Sequence, residues 1–378
     1  MSYLERKYGM AQLFKRICII GIGLIGGSLG MAVIRRGLAG EVVGVDVGLE
    51  NLDLARETGA IHRGTTDLAV GVHGADLVVM ATPVGAYRNI LKLITPYLTP
   101  GTIVSDVGST KERVVRDAEE LLPPQISFVG GHPMAGSEQA GVKGADAYLF
   151  ENAVYLLTPT AQTNELALHK VSTLCAALGA RVMTFAPEEH DRMVAAVSHL
   201  PHLIAATLVN TVGKVRQEHP STLLLAAGGF RDTTRVAMGN PTMWRDIFLS
   251  NREHVLDLIG KFKETLSMLE EDIQGTAGDS IYRELETARE VRKQVPTKLK
   301  GYWPELYEIV ITVPDQPGMI AQVAAILAEE GINISDIEIL RVREGEGGTI
   351  RLGFTAPGSD EAAVRILRSK GIVAKQRY

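Results

Sequence analysis

The sequence has 378 residues and a net charge of −5, with 46% hydrophobic and 22% charged residues. This length predicts two or three domains, and the mild charge gives no reason to expect nucleic-acid or membrane partners. No apolar run approaches the about 20 residues of a membrane-spanning helix, and the polar start lacks a signal-peptide core. Two cysteines, Cys18 and Cys175, are too few for a disulfide framework or a cysteine-rich metal site. We therefore expect a cytoplasmic protein.

The first predicted strand runs directly into a glycine-rich turn. Four apolar residues, 17–20, precede Gly21, Gly23 and Gly26, which form a G-x-G-x-x-G pattern. The first glycine permits the tight turn, the second lets the backbone approach a pyrophosphate, and the third lets the next helix lie close to the strand. That helix would direct its first N–H groups at the phosphates. The predicted cofactor-binding residues here are Gly21, Gly23, Leu24, Ile25 and Gly26.

Two further predicted strands end in residues that suit a dinucleotide. The second strand, 41–45, ends at Asp46, about 20 residues past the glycines, where a carboxylate binds both ribose hydroxyls. A carboxylate there repels a 2′-phosphate, so we expect NAD as the cofactor rather than NADP. The strand 76–81 ends in Thr82 and Pro83, a loop expected along the nicotinamide ribose. These patterns would also fit a glycine-rich turn of a different α/β fold and a plain strand-ending turn.

The predicted elements divide the chain into three domains. Strands alternating with helices predict an α/β, Rossmann-type doubly wound sheet over 15–158. Helical periodicity dominates 159–294, including one long helix over 244–272, and predicts an all-helical domain for substrate binding and dimerisation. A polar linker, 295–306, follows. Residues 307–378 read as βαββαβ, a ferredoxin-like order.

Five segments of the chain form longer motifs: GIGLIGGS at 21–28, SDVGSTK at 105–111, GGHPMAGSEQAG at 130–141, SHLPH at 198–202 and GGFRDTTRVA at 228–237. Together these motifs resemble those of the prephenate dehydrogenase family, which includes arogenate dehydrogenases. The module from 307 resembles an ACT domain through its DQPG loop and its GINI turn. The resemblance implies an NAD-dependent enzyme that converts prephenate to 4-hydroxyphenylpyruvate, CO2 and NADH for tyrosine biosynthesis. It also implies feedback control by tyrosine through the ACT domain.

The same resemblance assigns catalytic roles to two residues. His132 matches the family's catalytic histidine, which accepts a hydrogen bond from the ring hydroxyl, and a neutral imidazole suits this role near pH 7. Ser109 matches the serine that contacts the same hydroxyl or the nicotinamide side. Without a catalytic role, the histidine would cap local backbone and the serine would cap a helix.

The substrate-binding residues are assigned in the same way. Arg235 matches the family's carboxylate clamp, because a guanidinium binds a carboxylate bidentately, although it could instead pair with Asp232. Further substrate contacts are expected from Arg231, His202 and Glu138. Lys111 is expected to be a solvated residue of a first helical turn, with a position near the site as the alternative. No metal site is expected, because His199 and His202 lack a third ligand.

The ACT resemblance implies an amino-acid effector site at Asp315, Gly318, Asn333 and Ile334, unless the module serves dimerisation alone. The expected partners are prephenate, tyrosine and a second copy of the chain. Arogenate dehydrogenase, or a cyclohexadienyl enzyme that accepts both substrates, remains an open possibility. A non-catalytic binding protein is less favoured. So is a 3-hydroxyacid dehydrogenase, because that enzyme would need a catalytic lysine in the helical domain.

Overall fold

The computed structural model describes residues 12–136, 141–295, 306–314, 316–340 and 348–377. The chain forms two compact units, residues 1–299 and 300–378, and each is described by itself.

The first unit is built on an eight-stranded sheet. Its strands are β1 (Phe14–Ile20), β2 (Ala39–Val45), β3 (Arg63–Thr65), β4 (Leu77–Met80), β5 (Ile103–Asp106), β6 (Ser127–Pro133), β7 (Val154–Thr158) and β8 (Arg181–Thr184). The spatial order is β3-β2-β1-β4-β5-β6-β7-β8. All neighbouring strands are parallel except β6 and β7. The order reverses between β1 and β4, so a ligand crevice is expected at the carboxyl ends of these strands.

Helices cover both faces of this sheet, as near-continuous apolar strands require. They are α1 (Leu24–Arg36), α2 (Leu49–Glu57), α3 (Leu68–Val72), α4 (Tyr87–Ile94), α5 (Glu112–Leu121) and α6 (Glu165–Ala177). Separate buried apolar clusters fill the two faces; Ile17 and Ile19 belong to one, and Cys18 and Ile20 to the other. The predicted Rossmann-type architecture is confirmed.

The sheet continues beyond the six strands that the sequence predicts. β7 and β8 extend it to Thr184, so the predicted boundary at residue 158 falls inside the sheet, and α6 packs on β6 and β8. β8 has only four residues and none is fully buried. A short strand at the edge of a sheet lacks the apolar run that made the central strands recognisable.

The helical part of the first unit follows β8. Its helices are α7 (Pro187–Val194), α8 (Leu200–Glu218), α9 (Gly228–Thr234), α10 (Pro241–Ser250), α11 (Arg252–Gln274) and α12 (Gly278–Gln294). A π-helical turn, Ala195–His199, joins α7 to α8. The single helix predicted over 244–272 is wrong, because Asn251 leaves helical geometry between α10 and α11 and uses its side chain for buried hydrogen bonds.

One helical run in the described part of the chain, Pro187–Glu218, is long and apolar enough to cross a membrane by length and composition alone. The expectation that no run approaches this length is therefore wrong for this segment. Three of its polar side chains, His190, Asp191 and His199, are buried and hydrogen-bonded to other elements. Such contacts are typical of a helix inside a folded domain, and we infer no membrane partner from it.

The second unit has the predicted βαββαβ order. Its elements are β9 (Tyr307–Val313), α13 (Met319–Glu329), β10 (Asp336–Leu340), β11 (Gly348–Phe354), α14 (Ser359–Ser369) and β12 (Val373–Arg377). The sheet order is β10-β11-β9-β12, and every pair is antiparallel. Alternate residues of the strands pack with α13 and α14 to form one core. On the sheet surface Arg351 is buried against three carboxylates, those of Glu308, Asp336 and Glu338.

Candidate active site

The glycine-rich turn after β1 has the geometry that its sequence predicts. Gly21 has a φ of +95°, and a Cβ on it would lie 2.7 Å from the carbonyl oxygen of Ala81. A Cβ on Gly26 would lie 2.0 Å from the carbonyl oxygen of Gly21. These two glycines are therefore required by the fold itself: a side chain on Gly21 would clash with the backbone after β4, and one on Gly26 would push α1 away from the turn after β1.

Gly23 differs from its two neighbours because a Cβ on it would meet no protein atom within 4 Å. Gly23 also forms the N-cap of α1 and offers no side chain to the first N–H groups of that helix. Open space in front of uncapped N–H groups is the arrangement that binds a phosphate. The first turn of α1, with Leu24 and Ile25, thus fits the pyrophosphate of a dinucleotide.

The remaining predicted cofactor residues surround this turn. Asp46 follows β2, and its carboxylate accepts hydrogen bonds from Ile22 N at 2.9 Å and Gly48 N at 3.0 Å. The Oγ1 atom of Thr82 is buried and has no hydrogen-bond partner among the described residues. The Thr82 side chain lies beside Gly21, and Pro83 follows it. A buried hydroxyl without a partner at this edge of the sheet is suited to a hydrogen bond with a bound dinucleotide.

Substitution of Gly23 and Gly26 by alanine is expected to separate cofactor binding from folding. Gly23→Ala leaves the melting temperature unchanged but raises the dissociation constant for the dinucleotide at least about 10-fold, because its methyl group occupies the phosphate site. Gly26→Ala lowers both stability and affinity, because it clashes with Gly21. Thermal melts and cofactor titrations measure the two effects; equal affinity of Gly23→Ala and wild type would contradict the assignment.

A chain of three buried side chains lies at the carboxyl end of β6. His132 Nδ1 is 2.9 Å from His190 Nε2, and His190 Nδ1 is 2.8 Å from Asp191 Oδ1. A carboxylate only accepts hydrogen bonds, so Nδ1 of His190 carries a proton. With His190 in its neutral form, its Nε2 accepts a hydrogen bond from Nδ1 of His132. This tautomer makes Nε2 of His132 an acceptor that has no hydrogen-bond partner among the described residues.

Asp191 also fixes the position of this chain within the unit. Its carboxylate accepts hydrogen bonds from Lys111 N at 2.7 Å and Glu112 N at 2.9 Å, at the start of α5. The carboxylate of α7 thereby caps a helix of the sheet domain, where it satisfies unpaired N–H groups and the helix dipole. Ser109 makes no hydrogen bond to the described residues, so it does not cap this helix.

The electrostatic surroundings keep His132 neutral. Burial lowers the pKa of His132 well below its ordinary value, and the nearby His190, Lys111 and His199 lower this pKa further. A neutral imidazole with an unoccupied Nε2 can accept a proton at pH 7.

A second cluster joins this chain to α8 and α10. Asn251 donates to the carbonyl oxygen of Asp191 at 2.7 Å and to His199 Nδ1 at 3.2 Å. His202 stacks on Trp244 with ring centroids 3.6 Å apart, and the centroid of His199 is 6.0 Å from that of Trp244. Burial lowers the pKa of His199 to about 4 and also lowers the pKa of His202. Both imidazoles are thus neutral groups at pH 7.

His202 Nδ1 is buried without a hydrogen-bond partner among the described residues. A buried polar atom without a partner costs free energy, so this nitrogen is suited to a hydrogen bond with a ligand. His199 lies close enough to His132 to lower its pKa, and His202 has the same effect on His199. No group of three or more metal-ligating side chains forms within the described ranges.

The two predicted substrate arginines are exposed, unlike the buried histidines described above. Arg231 lies on α9 and Arg235 in the turn after it, and both are exposed. Their segment ends at Gly239, where a Cβ would lie 3.0 Å from His202 Cε1 and 2.5 Å from Trp244 Nε1. The segment therefore borders the His202–Trp244 stack. Glu138 lies outside the described residues.

The predicted effector residues belong to the second unit. Gly318 has a φ of +93° and forms the N-cap of α13. Asn333 is exposed and Ile334 is half-buried, both in the turn before β10. Asp315 lies outside the described residues.

Lys111 is placed differently from its prediction, and several polar side chains of the site were not predicted. Lys111 is fully buried and paired with Asp106, where a solvated residue was expected. Asp191 and Asn251 were not assigned, although both form buried hydrogen bonds near His132. The only available signal was the run of polar residues at 188–192, which starts an otherwise apolar helix. Such a run is also usual for an exposed helix start.

The fold and the site define a class of protein first. A glycine-rich nucleotide turn and a buried neutral histidine lie at the same carboxyl edge of a doubly wound sheet, next to a helical domain. This is the arrangement of a dehydrogenase that uses a dinucleotide.

Comparisons with known proteins identify the family. Family profiles described as prephenate dehydrogenase nucleotide-binding domain, prephenate dehydrogenase dimerization domain and ACT domain match residues 29–184, 186–287 and 307–369. The prephenate dehydrogenase of Bacillus subtilis is 35% identical over 362 residues, 96% of this chain and 98% of the relative. The cyclohexadienyl dehydrogenase of Zymomonas mobilis is 33% identical over 286 residues, 75% of this chain and 97% of the relative.

A solved structure supports the same assignment. The prephenate dehydrogenase of Aquifex aeolicus, in complex with hydroxyphenyl propionate and NAD+, matches with a TM-score of 0.70 and 35% identity. The match covers 74% of this chain and 98% of that chain. This chain therefore belongs to the prephenate dehydrogenase family of oxidoreductases and carries an ACT domain.

Proposed function

We propose that this chain is a cytoplasmic, homodimeric enzyme that oxidises prephenate with NAD and releases CO2, forming 4-hydroxyphenylpyruvate for tyrosine biosynthesis. The observation that carries the proposal is the buried His132–His190–Asp191 chain, which provides one imidazole nitrogen as a base at the same carboxyl edge of the sheet as the nucleotide turn. Asp46 supports NAD as the cofactor, because its carboxylate repels a 2′-phosphate.

The reaction needs a base, a hydride acceptor and cations for two carboxylates. NAD, when bound, supplies the hydride acceptor. As the hydride leaves the carbinol carbon, the ring hydroxyl becomes acidic and Nε2 of His132 accepts its proton. The electron pair of the bond to the ring carboxylate then enters the ring, which becomes aromatic as CO2 leaves. His132 returns the proton to the ring oxygen, so the product keeps its hydroxyl group.

Charged and polar side chains around His132 serve the substrate in this proposal. Arg235 binds a substrate carboxylate bidentately, and its segment reaches the His202–Trp244 stack. His202 and Ser109 contact the ring substituents. Arg231 and Glu138 complete the substrate side of the cleft.

Exposed apolar surface supports the homodimer. In the described part of the chain, α11 buries only Val255 and α12 buries no residue, although both helices are long. Large exposed apolar side chains of the helical part include Leu224, Leu225, Met238, Leu256, Leu266 and Ile273. Helices with so little burial need a partner surface to be stable, and a second copy of the same helices provides one.

The test is the formation of reduced nicotinamide by the purified full-length chain with prephenate or arogenate, each with NAD or NADP. We expect turnover with prephenate and NAD, and at least about 10-fold lower kcat/KM with NADP. Turnover with arogenate alone would reassign the substrate but retain the mechanism, and turnover with both would identify a cyclohexadienyl enzyme. No turnover with either substrate would contradict the proposal.

We further propose that tyrosine inhibits the enzyme by binding the second unit near Gly318, Asn333, Ile334 and Asp315. Loss of the Asn333 amide is expected to raise the tyrosine concentration for half-inhibition about 10-fold, because one hydrogen bond to the ligand is lost. The rate without tyrosine should not change in Asn333→Ala. Initial rates over a tyrosine titration measure this, and Lys370→Ala, an exposed change at the end of α14, is the control. Equal inhibition of both variants and wild type would place tyrosine elsewhere.

A further inference from the structure

A completely buried ion pair lies beneath the candidate active site. Lys111 Nζ donates to Asp106 Oδ2, and both side chains have no exposed surface. The same Nζ donates to the carbonyl oxygen of Gly131 at 2.8 Å. Asp106 in turn accepts hydrogen bonds from Gly131 N at 3.0 Å and Gly108 N at 2.8 Å.

This pair holds the backbone on both sides of the reacting groups. The ion pair forms hydrogen bonds with both the N–H and the carbonyl group of Gly131, the residue directly before His132. It also accepts a hydrogen bond from the N–H of Gly108, the residue directly before Ser109. Two segments that are 22 or more residues apart in the sequence are thereby fixed to one pair of charges.

We propose that Asp106 and Lys111 are positioning residues that hold the loop of Ser109 and the strand end of His132 in register for catalysis. The inference rests on the function proposed above. A buried ion pair contributes about as much to the free energy of unfolding as apolar side chains of similar volume, because the cost of removing its charges from water offsets their attraction. Its hydrogen bonds to the backbone of two catalytic segments give it a different role, that of fixing their geometry.

The pair also contributes to the electrostatics of the site. The charged and titratable groups that act on His132 are His190, Lys111 and His199. Around them, Asp191 is bonded to His190, Asp106 is paired with Lys111, and Tyr155 lies beside Gly131. Burial lowers the pKa of Lys111 and raises that of Asp106, whereas the attraction between the two favours their charged forms. The positive charge of Lys111 lowers the pKa of His132.

The experiment compares Lys111→Met, the double variant Asp106→Asn with Lys111→Gln, and Arg36→Met as a matched control. Arg36 is a buried cation of α1 paired at 2.6 Å with Glu151, a residue outside the two catalytic segments. Lys111→Met should lower the melting temperature by roughly 10 °C, because it leaves the buried Asp106 carboxylate without its partner. Arg36→Met should lower it by less, because the Glu151 side chain is 44% exposed and stays solvated. Activity is measured well below these temperatures.

Lys111→Met is expected to lower kcat about 100-fold, because the Gly131 peptide loses its donor and His132 shifts. Arg36→Met should keep kcat within about 2-fold. The double variant retains amide donors and acceptors without charge, so it should recover most of the lost kcat. In both Lys111 variants the acid limb of kcat/KM should move to higher pH, because the pKa of His132 rises when the cation is removed.

A second readout does not depend on turnover. Carbethoxylation of His132 in the protein without cofactor, followed against pH by peptide mass spectrometry, reports the same pKa, and it should rise in both Lys111 variants. Wild-type kcat and an unchanged pH profile in Lys111→Met would overturn the inference, as would a double variant as slow as Lys111→Met. Absence of wild-type turnover would instead contradict the proposed function, and the carbethoxylation profile would still test the pair.

Discussion

His132→Asn is expected to lower kcat for prephenate oxidation about 1000-fold with little change in KM. Asparagine can retain a hydrogen bond to His190, but it cannot take up the proton that the ring hydroxyl releases. The change therefore removes an interaction made in the transition state and leaves the carboxylate contacts in place. Steady-state kinetics with NAD and prephenate measures both constants.

The pH dependence gives an independent check on this residue. The pKa of His132 is lowered well below its ordinary value, so the neutral base persists at neutral pH and is lost only as the pH falls through the lowered pKa. Wild-type kcat/KM should therefore rise with pH along an acid limb and then level off, whereas His132→Asn should lack that limb. His169→Asn, an exposed change on α6, is the matched control and should behave as wild type. A loss of less than about 10-fold in His132→Asn would contradict the role of a proton acceptor.

Asp191→Asn is expected to lower kcat roughly 1000-fold even though Asp191 need not touch the substrate. The carboxylate accepts the proton of His190 Nδ1 and thereby sets the tautomers of both histidines. An amide that donates to this nitrogen places the proton of His190 on Nε2, where it donates to His132 Nδ1. His132 then carries its proton on Nε2 and cannot accept another, which is the kind of tautomer error that disables hydrolytic triads.

The control for this change is Asp67→Asn. Asp67 caps α3 through Ala69 N and Val70 N, so it also holds a helix start, in a segment away from the histidine chain. Asp67→Asn should lose about 1 kcal/mol or less of stability, because one oxygen accepts both of its hydrogen bonds and asparagine is itself a good cap. Asp191→Asn should lose about 1 to 3 kcal/mol, because Lys111 N and Glu112 N bind different oxygens and one of them loses its acceptor. Only Asp191→Asn should lose activity, and the double variant with His132→Asn should be no slower than His132→Asn alone. Additive losses in the double variant would show that Asp191 acts by a route other than His132.

Much of the architecture could be predicted because the signals are local. The turn from Gly21 to Gly26 spans six residues, and the contacts that require its glycines lie within or directly beside it. The βαββαβ order of the second unit follows from alternating strands separated by short helices. β8 could not be predicted, because its four residues lie at the sheet edge, none is fully buried, and they show no clear hydrophobic pattern.

The amino-acid sequence by itself determined the doubly wound sheet, the nucleotide turn and the family, and it carries the prediction of His132 as the central histidine. Only the tertiary structure decided how His132 is activated. His190 lies 58 residues from His132 along the chain, and Asp191 lies 80 residues from Lys111. Charged residues at helix starts are normally solvated, so Lys111 and Asp191 carry no sequence sign of burial. Their environment is created when the end of β6 and helix α7 pack over the start of α5, and this packing of distant segments removes water from their charges.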